Sequence, residues 1–333
     1  MTIAFPHEPG HGGPGSFQTR FEKSLKAADW TVVYAQDRIL PDVVMVVGGT
    51  KRLSWLWRMK RKRVPVIHRL DGLAWLHRRQ NIKTFLYGEW GNLLFKTIHG
   101  FFADHVVYQS AFVKQWWEQS GWRRPKSSSV IYNGVDLSKF KPEYNEEKPI
   151  DLLCLEGTLD YSPYAIQLLN ELQAELGREL SIVAYGGFQN AANQDKLHAG
   201  ITYKGKLTRD ELPAAYRNAI YLSLDVNAAC PNTVAEALAS GIPVVGYDTG
   251  ALKELVGTEA GCIVPYGSDP WELQMPDTAA LIAAIRQVKQ NYEQYARAAR
   301  ASAVQRFGMP NVFEEYLCVI ERVCSSNTQN HKI

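Results

Sequence analysis

The 333-residue sequence has no apolar run approaching the ~18 residues that a membrane-spanning helix requires. Its opening, MTIAFPHEPGHGG, has neither the basic nor the apolar region of a secretory signal, so none is expected. Cysteine is scarce: Cys154, Cys230, Cys262, Cys318 and Cys324 are scattered, odd in number and without metal-ligand spacing. That argues against a disulfide framework or a zinc site and for a reducing cytosol. No GxxxxGK nucleotide loop with Ser or Thr after the lysine occurs, and no DxD pair. Charged residues make up 21% and hydrophobic residues 46%, which excludes wholesale disorder. The length suits two domains of ~150 residues.

Acidic residues are short in the first half. Residues 1–150 hold 23 Lys and Arg against 13 Asp and Glu, whereas the remainder holds 14 against 21. Eight of the nine tryptophans also lie in the first half. Halves of opposite charge suit different partners, and a basic, Trp-rich half is open to nucleic acid, an anionic membrane or a phosphorylated substrate. No recognised nucleic-acid motif accompanies it, so no nucleic-acid partner is expected.

Short β-branched runs alternate with helical periodicity, the pattern of stacked βαβ units and parallel sheets. The spacing predicts strands at 2–5, 31–35, 43–47, 64–68, 105–108 and 129–132, then at 151–156, 180–185, 201–204, 219–224, 243–247 and 261–264. Polar, proline-bracketed residues 139–150 read as a linker, 279–306 as a long helical stretch and 311–323 as a final amphipathic helix. The expected fold class is α/β, with two Rossmann-like parallel-sheet domains, residues 1–140 and 148–308, facing across a cleft.

Four segments could carry chemistry. Gly12-Gly13-Pro14-Gly15-Ser16 follows the first strand and precedes a helix predicted near Phe17; such a turn brings backbone N–H groups to an anion, or is only a tight turn. It is no dinucleotide fingerprint, because position 18 is Gln. His68 and Asp71, at the end of the fourth strand, face a ligand, or else Asp71 caps the next helix and His68 is a satisfied core histidine. The third segment runs from Cys230 through Pro231, Asn232, Thr233 and Glu236 to Gly241. A helix starting there would offer its N-terminus to a diphosphate, with Glu236 one turn on to accept ribose hydroxyls; the bland reading is an exposed helix glutamate. In the fourth, 50–63, Lys51, Arg58, Arg61 and Lys62 share one arc of a helix and Leu53, Trp55, Leu56, Trp57 and Met59 most of the other. That suits an anionic membrane surface, or a core-packed helix with a solvated basic face.

In this order, GGPGSF, IHRLDG, VVYQSAFVKQ with VIYNGVDLSKFKP, and PNTVAEALASGIPVVGYDTGALKELVG make nearly the whole chain resemble the family-4 retaining glycosyltransferases, which have the GT-B fold. The resemblance implies an acceptor-binding N-terminal domain, a nucleotide-sugar-binding C-terminal domain and a last helix, 311–323, that crosses back to the first. Glu236 matches the family's ribose-binding glutamate, and Asn232 and Thr233 match the helix start at the diphosphate. Gly13, Gly15 and Ser16 match the loop beneath the donor phosphates. His68 matches the histidine near the transferred sugar, and Asp71 joins it as a candidate catalytic residue from its strand-end position.

Two departures stand out. Ala228 occupies the place of the family's first glutamate, and 156–163 lacks the usual Arg and Lys that neutralise the diphosphate. Lys206 is the expected substitute, with Lys204 and Arg209 as alternatives, and Asn227 and Cys230 are expected to read the donor sugar. The implied function is retaining, metal-independent transfer of a sugar from a nucleotide-diphosphate sugar to a glycan or lipid-linked acceptor, with no cofactor. The implied location is cytoplasmic, with 51–63 as the segment for peripheral contact with the inner face of the cell membrane. Two competing readings are a binding protein of the same fold that has lost transfer and a nicotinamide-dependent oxidoreductase.

Overall fold

The computed structural model describes residues 1–10, 12–79, 82–123, 125–143 and 149–329. The chain divides into two compact units, Met1–Asn133 with Pro310–Ile333, and Gly134–Met309. In the first unit the elements run β1 (Thr2–Phe5), α1 (Gly12–Ala27), β2 (Thr31–Tyr34), β3 (Val43–Val47), α2 (Leu53–Arg61), β4 (Val66–Leu70), α3 (Ile82–Thr97), β5 (His105–Tyr108), α4 (Ala111–Gln119) and β6 (Ser128–Val130). The six strands pair in parallel in the order β2-β1-β3-β4-β5-β6. Central parallel strands are covered on both faces, which is why β3 reads VVMVV. β4 is as deeply buried although it reads VIHRL, so His68 and Arg69 must find partners inside.

The second unit runs β7 (Asp151–Thr158), α5 (Ala165–Leu176), β8 (Ile182–Gly187), β9 (Thr202–Tyr203), α6 (Leu212–Ala215), β10 (Ala219–Leu222), α7 (Asn232–Ala239), β11 (Val244–Tyr247), α8 (Leu252–Val256), β12 (Gly261–Val264), α9 (Thr278–Gln290) and α10 (Tyr292–Arg306). Its parallel order is β12-β11-β10-β7-β8-β9. Strand order reverses between β1 and β3 in one sheet and between β7 and β10 in the other. At such points the loops leaving the strand carboxyl ends diverge and open a crevice.

The last helix, α11 (Met309–Gln329), returns to the first unit. Tyr316 is fully buried there, its ring 5.3 Å from Phe17 and 5.0 Å from Phe21.

Three sequence expectations shift. The chain passes between units at Asn133 and Gly134, not within 139–150, because the segment after Gly134 is fastened to the second unit. Val135 bridges Gly308, Phe140 packs edge-on to Tyr216, and Arg300 donates to the Phe140 carbonyl at 2.9 Å. Residues 144–148 of the expected linker lie outside the described residues. The long stretch 279–306 divides at Asn291, whose side chain donates to the Gln287 carbonyl at 3.0 Å and closes α9. Finally, α1 starts at Gly12 rather than near Phe17.

Candidate functional site

In the second unit, α7 starts directly beyond β10, at the strand-order reversal. Pro231 occupies its N-cap with no side-chain cap bond, and its first turn has no acidic residue, so the positive end of the helix is left for an anion. Glu236 is 8% exposed, which sets aside the exposed-glutamate reading. It hydrogen-bonds the buried Tyr216 hydroxyl, which also lies 3.3 Å from the Thr233 carbonyl. Burial first, then the Glu236 charge, pushes the Tyr216 phenol well above its ordinary range, so it stays a neutral donor beside the carboxylate.

The turn before α7 is locked from beneath. Asn227 has φ 53°, a left-handed conformation that asparagine tolerates better than most residues. Its backbone N–H donates to Thr249 Oγ1 at 3.1 Å, and the Thr249 hydroxyl donates to Asn227 Oδ1 at 2.6 Å. Gly250, at φ 61°, fits under Ala228 only without a side chain: a Cβ would sit 2.5 Å from the Ala228 nitrogen. Ala251 N–H then holds the Ala228 carbonyl at 2.9 Å. Asn227 Nδ2 and Ser223 Oγ are buried without a hydrogen-bond partner among the described residues. Unmet buried polar atoms are costly, so their clustering at this turn marks it as a place for a ligand. Cys230 is buried at the end of the same turn.

β8, β7 and β10 are neighbours, so their carboxyl ends share one edge. Lys206 crosses that edge over Gly187, where a Cβ would lie 2.9 Å from its Nζ. Lys204 turns instead toward the Tyr185 ring, 5.8 Å away. At the end of β7, Glu156 accepts the Leu224 N–H at 3.0 Å. Burial, then the Asp225 charge, raises the Glu156 carboxyl well above the usual carboxylate range, and burial raises Asp225 too. Two carboxyls this close and buried resist ionising together, which disfavours a full double negative charge at that strand end.

In the first unit the Gly12–Ser16 stretch is the first turn of α1 rather than a loop before it. Gly15 makes this possible, since a Cβ there would be 1.9 Å from the Gly10 carbonyl oxygen. Gly13 has open space around it, and Ser16 is half-buried. His68 is fully buried and its Nε2–H donates to the Gly48 carbonyl at 2.6 Å, while Nδ1 has no partner among the described residues. Burial pushes its pKa down to about 3, with His99 adding and the Gly48 bond opposing, so the ring is neutral. Gly48 ends β3 beside the reversal point, and His68 bears on that point through the Gly48 backbone.

Asp71 caps no helix; residues 71–75 are irregular. Its carboxylate takes Arg69 at 3.3 Å and Gln109, with burial raising its pKa and Arg69 drawing it back. Arg69 is 1% exposed, also bonds Asn133, and lies 3.8 Å over the Phe17 ring. Sequence reasoning passed over Arg69, Tyr216 and the Thr249–Gly250 turn. The available signal for Arg69 was a charge inside a strand that has to be buried on both faces.

Residues 50–63 follow the core-packed reading in part. Trp55, Leu56 and Met59 join Val44, Val46 and Ile98 in the core, and Trp57 stays half exposed with Arg61 4.7 Å over its ring. Among the described residues no group of three His, Cys, Asp or Glu could hold a metal ion, and no helix is long and apolar enough to cross a membrane.

Residues 157–291 match the family model described as Glycosyl transferases group 1. Sucrose-phosphate synthase from Thermosynechococcus elongatus superposes with a TM-score of 0.73 at 15% identity, covering 98% of this chain and 99% of that one. Anabaena HepE, in complex with UDP and glucose, gives 0.70 at 16% identity, covering 97% and 100%. AviGT4, a glycosyltransferase involved in avilamycin A biosynthesis, gives 0.62 at 16% identity over 98% of each chain. At these identities the likeness is one of fold, and the fold is GT-B. No curated protein matches the sequence.

Proposed function

We infer that this chain, a glycosyltransferase of the GT-B type, moves a sugar from a nucleoside-diphosphate donor to a glycan or lipid-linked acceptor, with retention of configuration and without a metal. The observation that carries the donor assignment is Glu236, a buried carboxylate one turn beyond an uncapped helix start. Complexes of HepE with UDP and with UDP-glucose support a uridine nucleotide as the donor.

In this reading the ribose diol donates to Glu236 and the diphosphate lies against Asn232 and Thr233. The α7 dipole and Lys206 take up the charge that develops as the diphosphate leaves. Asn227 and the backbone near Cys230 hold the sugar, in a turn whose shape Thr249 and Gly250 keep without the family's first glutamate. The acceptor hydroxyl attacks the face from which the diphosphate departs, and its proton passes to the departing phosphate. The first unit holds the acceptor, and Gly13, Gly15 and Ser16 at the α1 N-terminus are its proposed anion-binding turn. His68 is a positioning residue through Gly48, and Asp71 sets the strand end beside it. The basic face of 51–63 is the proposed membrane contact, in a cytoplasmic enzyme held peripherally.

A thermal-shift screen against UDP-, GDP-, ADP- and TDP-sugars tests the donor reading. A UDP-sugar at 100 times its dissociation constant is expected to stabilise the protein by ~2.7 kcal/mol. A response to none of the four would remove it, and a response without turnover on any acceptor would favour the binding-protein reading. His68→Ala is expected to lower kcat by roughly tenfold with little change in donor affinity, because Gly48 loses its anchor while α7 is untouched. Wild-type turnover in that variant would make His68 a core residue and nothing more.

A further inference from the structure

α3 is built inside out. Its inward side is mostly polar or small, with Phe95 packed against Gly49. Asn92 is buried and grips the Ala74 backbone through two bonds of 2.9 Å, and Glu89 takes His77 at 2.9 Å and Arg78 at 2.7 Å. Gly88 makes room for the His77 ring, which a Cβ would meet at 2.2 Å. Outward, Ile82, Leu86, Trp90 and Leu93 recur at helical spacing with Tyr87 beside them, and are 77, 62, 57, 46 and 75% exposed respectively. A helix on a water-facing surface has the opposite arrangement, and an apolar stripe of this kind marks an interaction face.

The surroundings are cationic. Residues 51–100 carry 12 Lys and Arg against 2 Asp and Glu. α2 packs against Ile98 and Phe102 just beyond α3; Arg58 and Arg61 are exposed on it, and Lys51 and Lys62 are exposed at its two ends. Two exposed aromatics nearby in sequence also carry cations: Arg61 at Trp57, and Arg123 5.8 Å from the ring of Phe101, which is 62% exposed. Trp, Tyr and Leu beside Lys and Arg fit the interfacial layer of a bilayer, where rings sit at headgroup level and cations meet anionic lipid.

We propose that the outward stripe of α3 is the insertion face of a docking surface for an anionic lipid bilayer, with the α2 cations on the headgroups beside it. The proposal deepens the membrane contact suggested for 51–63 and rests on that reading for its choice of occupant. It moves the apolar part of the contact from α2, whose Trp55, Leu56 and Met59 are in the core, to α3.

Co-sedimentation of the full chain with phosphatidylglycerol–phosphatidylcholine vesicles, and with phosphatidylcholine alone, tests it. The wild type is expected to bind the anionic vesicles better, and less tightly as salt rises. Leu86→Ser with Trp90→Ser should lower partition on the order of a hundredfold, from the lost apolar burial. Both side chains are exposed, so the melting temperature and the UDP thermal shift should not change. Arg58→Gln with Arg61→Gln and Lys62→Gln should remove mainly the preference for anionic lipid. If the α3 variant binds like wild type while the α2 variant does not, the stripe is not the insertion face. If the wild type binds neither vesicle, the bilayer is the wrong occupant and an acidic protein surface takes its place. Vesicle binding without any response to UDP would leave the stripe standing and remove the donor reading instead.

Discussion

Replacing Glu236 with alanine will weaken UDP binding by about ten- to a hundredfold, measured by titration calorimetry, and leave the fold intact. The loss of a charged hydrogen-bond acceptor for a ribose diol costs ~1.5–3 kcal/mol. A buried carboxylate makes such a contact stronger than one in water, since less solvent competes for it. The fold should survive because the Tyr216 hydroxyl, left by the variant, still has the Thr233 carbonyl at 3.3 Å. Glu236→Gln, which keeps one acceptor oxygen, should fall between the two. Equal affinity in the alanine variant would remove the donor site from α7.

Acidification will act in opposite directions on the two units. His68, His99 and His105 all belong to the first unit, and burial holds their pKa values down to about 3, 4 and 4. Unfolded imidazoles take up protons near pH 6.5. Between that pH and about 4, therefore, the unfolded chain binds protons that the folded unit refuses, and stability falls with pH. With all three contributing, the slope reaches about 4 kcal/mol per pH unit, offset in part by Asp71 and Glu315, whose pKa values burial raises. Glu156 and Asp225 in the second unit have raised pKa values and keep protons that the unfolded carboxyls release, so their contribution grows as pH falls toward the unfolded values near 4. Calorimetry from pH 7 to pH 5 should show a lower transition that moves down steeply and an upper one that does not. His105→Gln should flatten the lower one by about a third of its slope. A single transition at a constant temperature across this range would refute the assignment.

Central strands such as β3 were legible because parallel strands covered on both faces are short continuous β-branched runs, whatever their order in the sheet. Their edges were less so. The pattern places β4 two residues early, since Pro65 reads as part of an apolar run but has no N–H to pair, and the strand continues through His68 and Arg69 to Leu70. Gly-Gly-Pro-Gly reads as a turn, and only the approach of Gly10 to Gly15 reveals a helix there. At the site, Glu236 was found because its neighbours in sequence are its neighbours in space. Tyr216 and Thr249 reach it or its turn from separate segments, and no local pattern announces that. For α2 and α3, composition could show aromatics beside basic residues but not which side chains face the core. Trp55 and Trp90 look alike in sequence and have opposite fates.

The return of α11 to the first unit has a consequence for biosynthesis. Domains made in sequence ordinarily fold in sequence, the earlier one first. Here Phe17 and Phe21 emerge early, but the helix carrying Tyr316 emerges only after residues 134–309 have been made. At common translation speeds that delay is about ten to thirty seconds. The second unit, a continuous stretch, can close while Phe17 and Phe21 of the first still lack the Tyr316 ring that covers them. The N-terminal half is thus the later to mature, and it is the half with the longer exposure to chaperones and to aggregation on the ribosome.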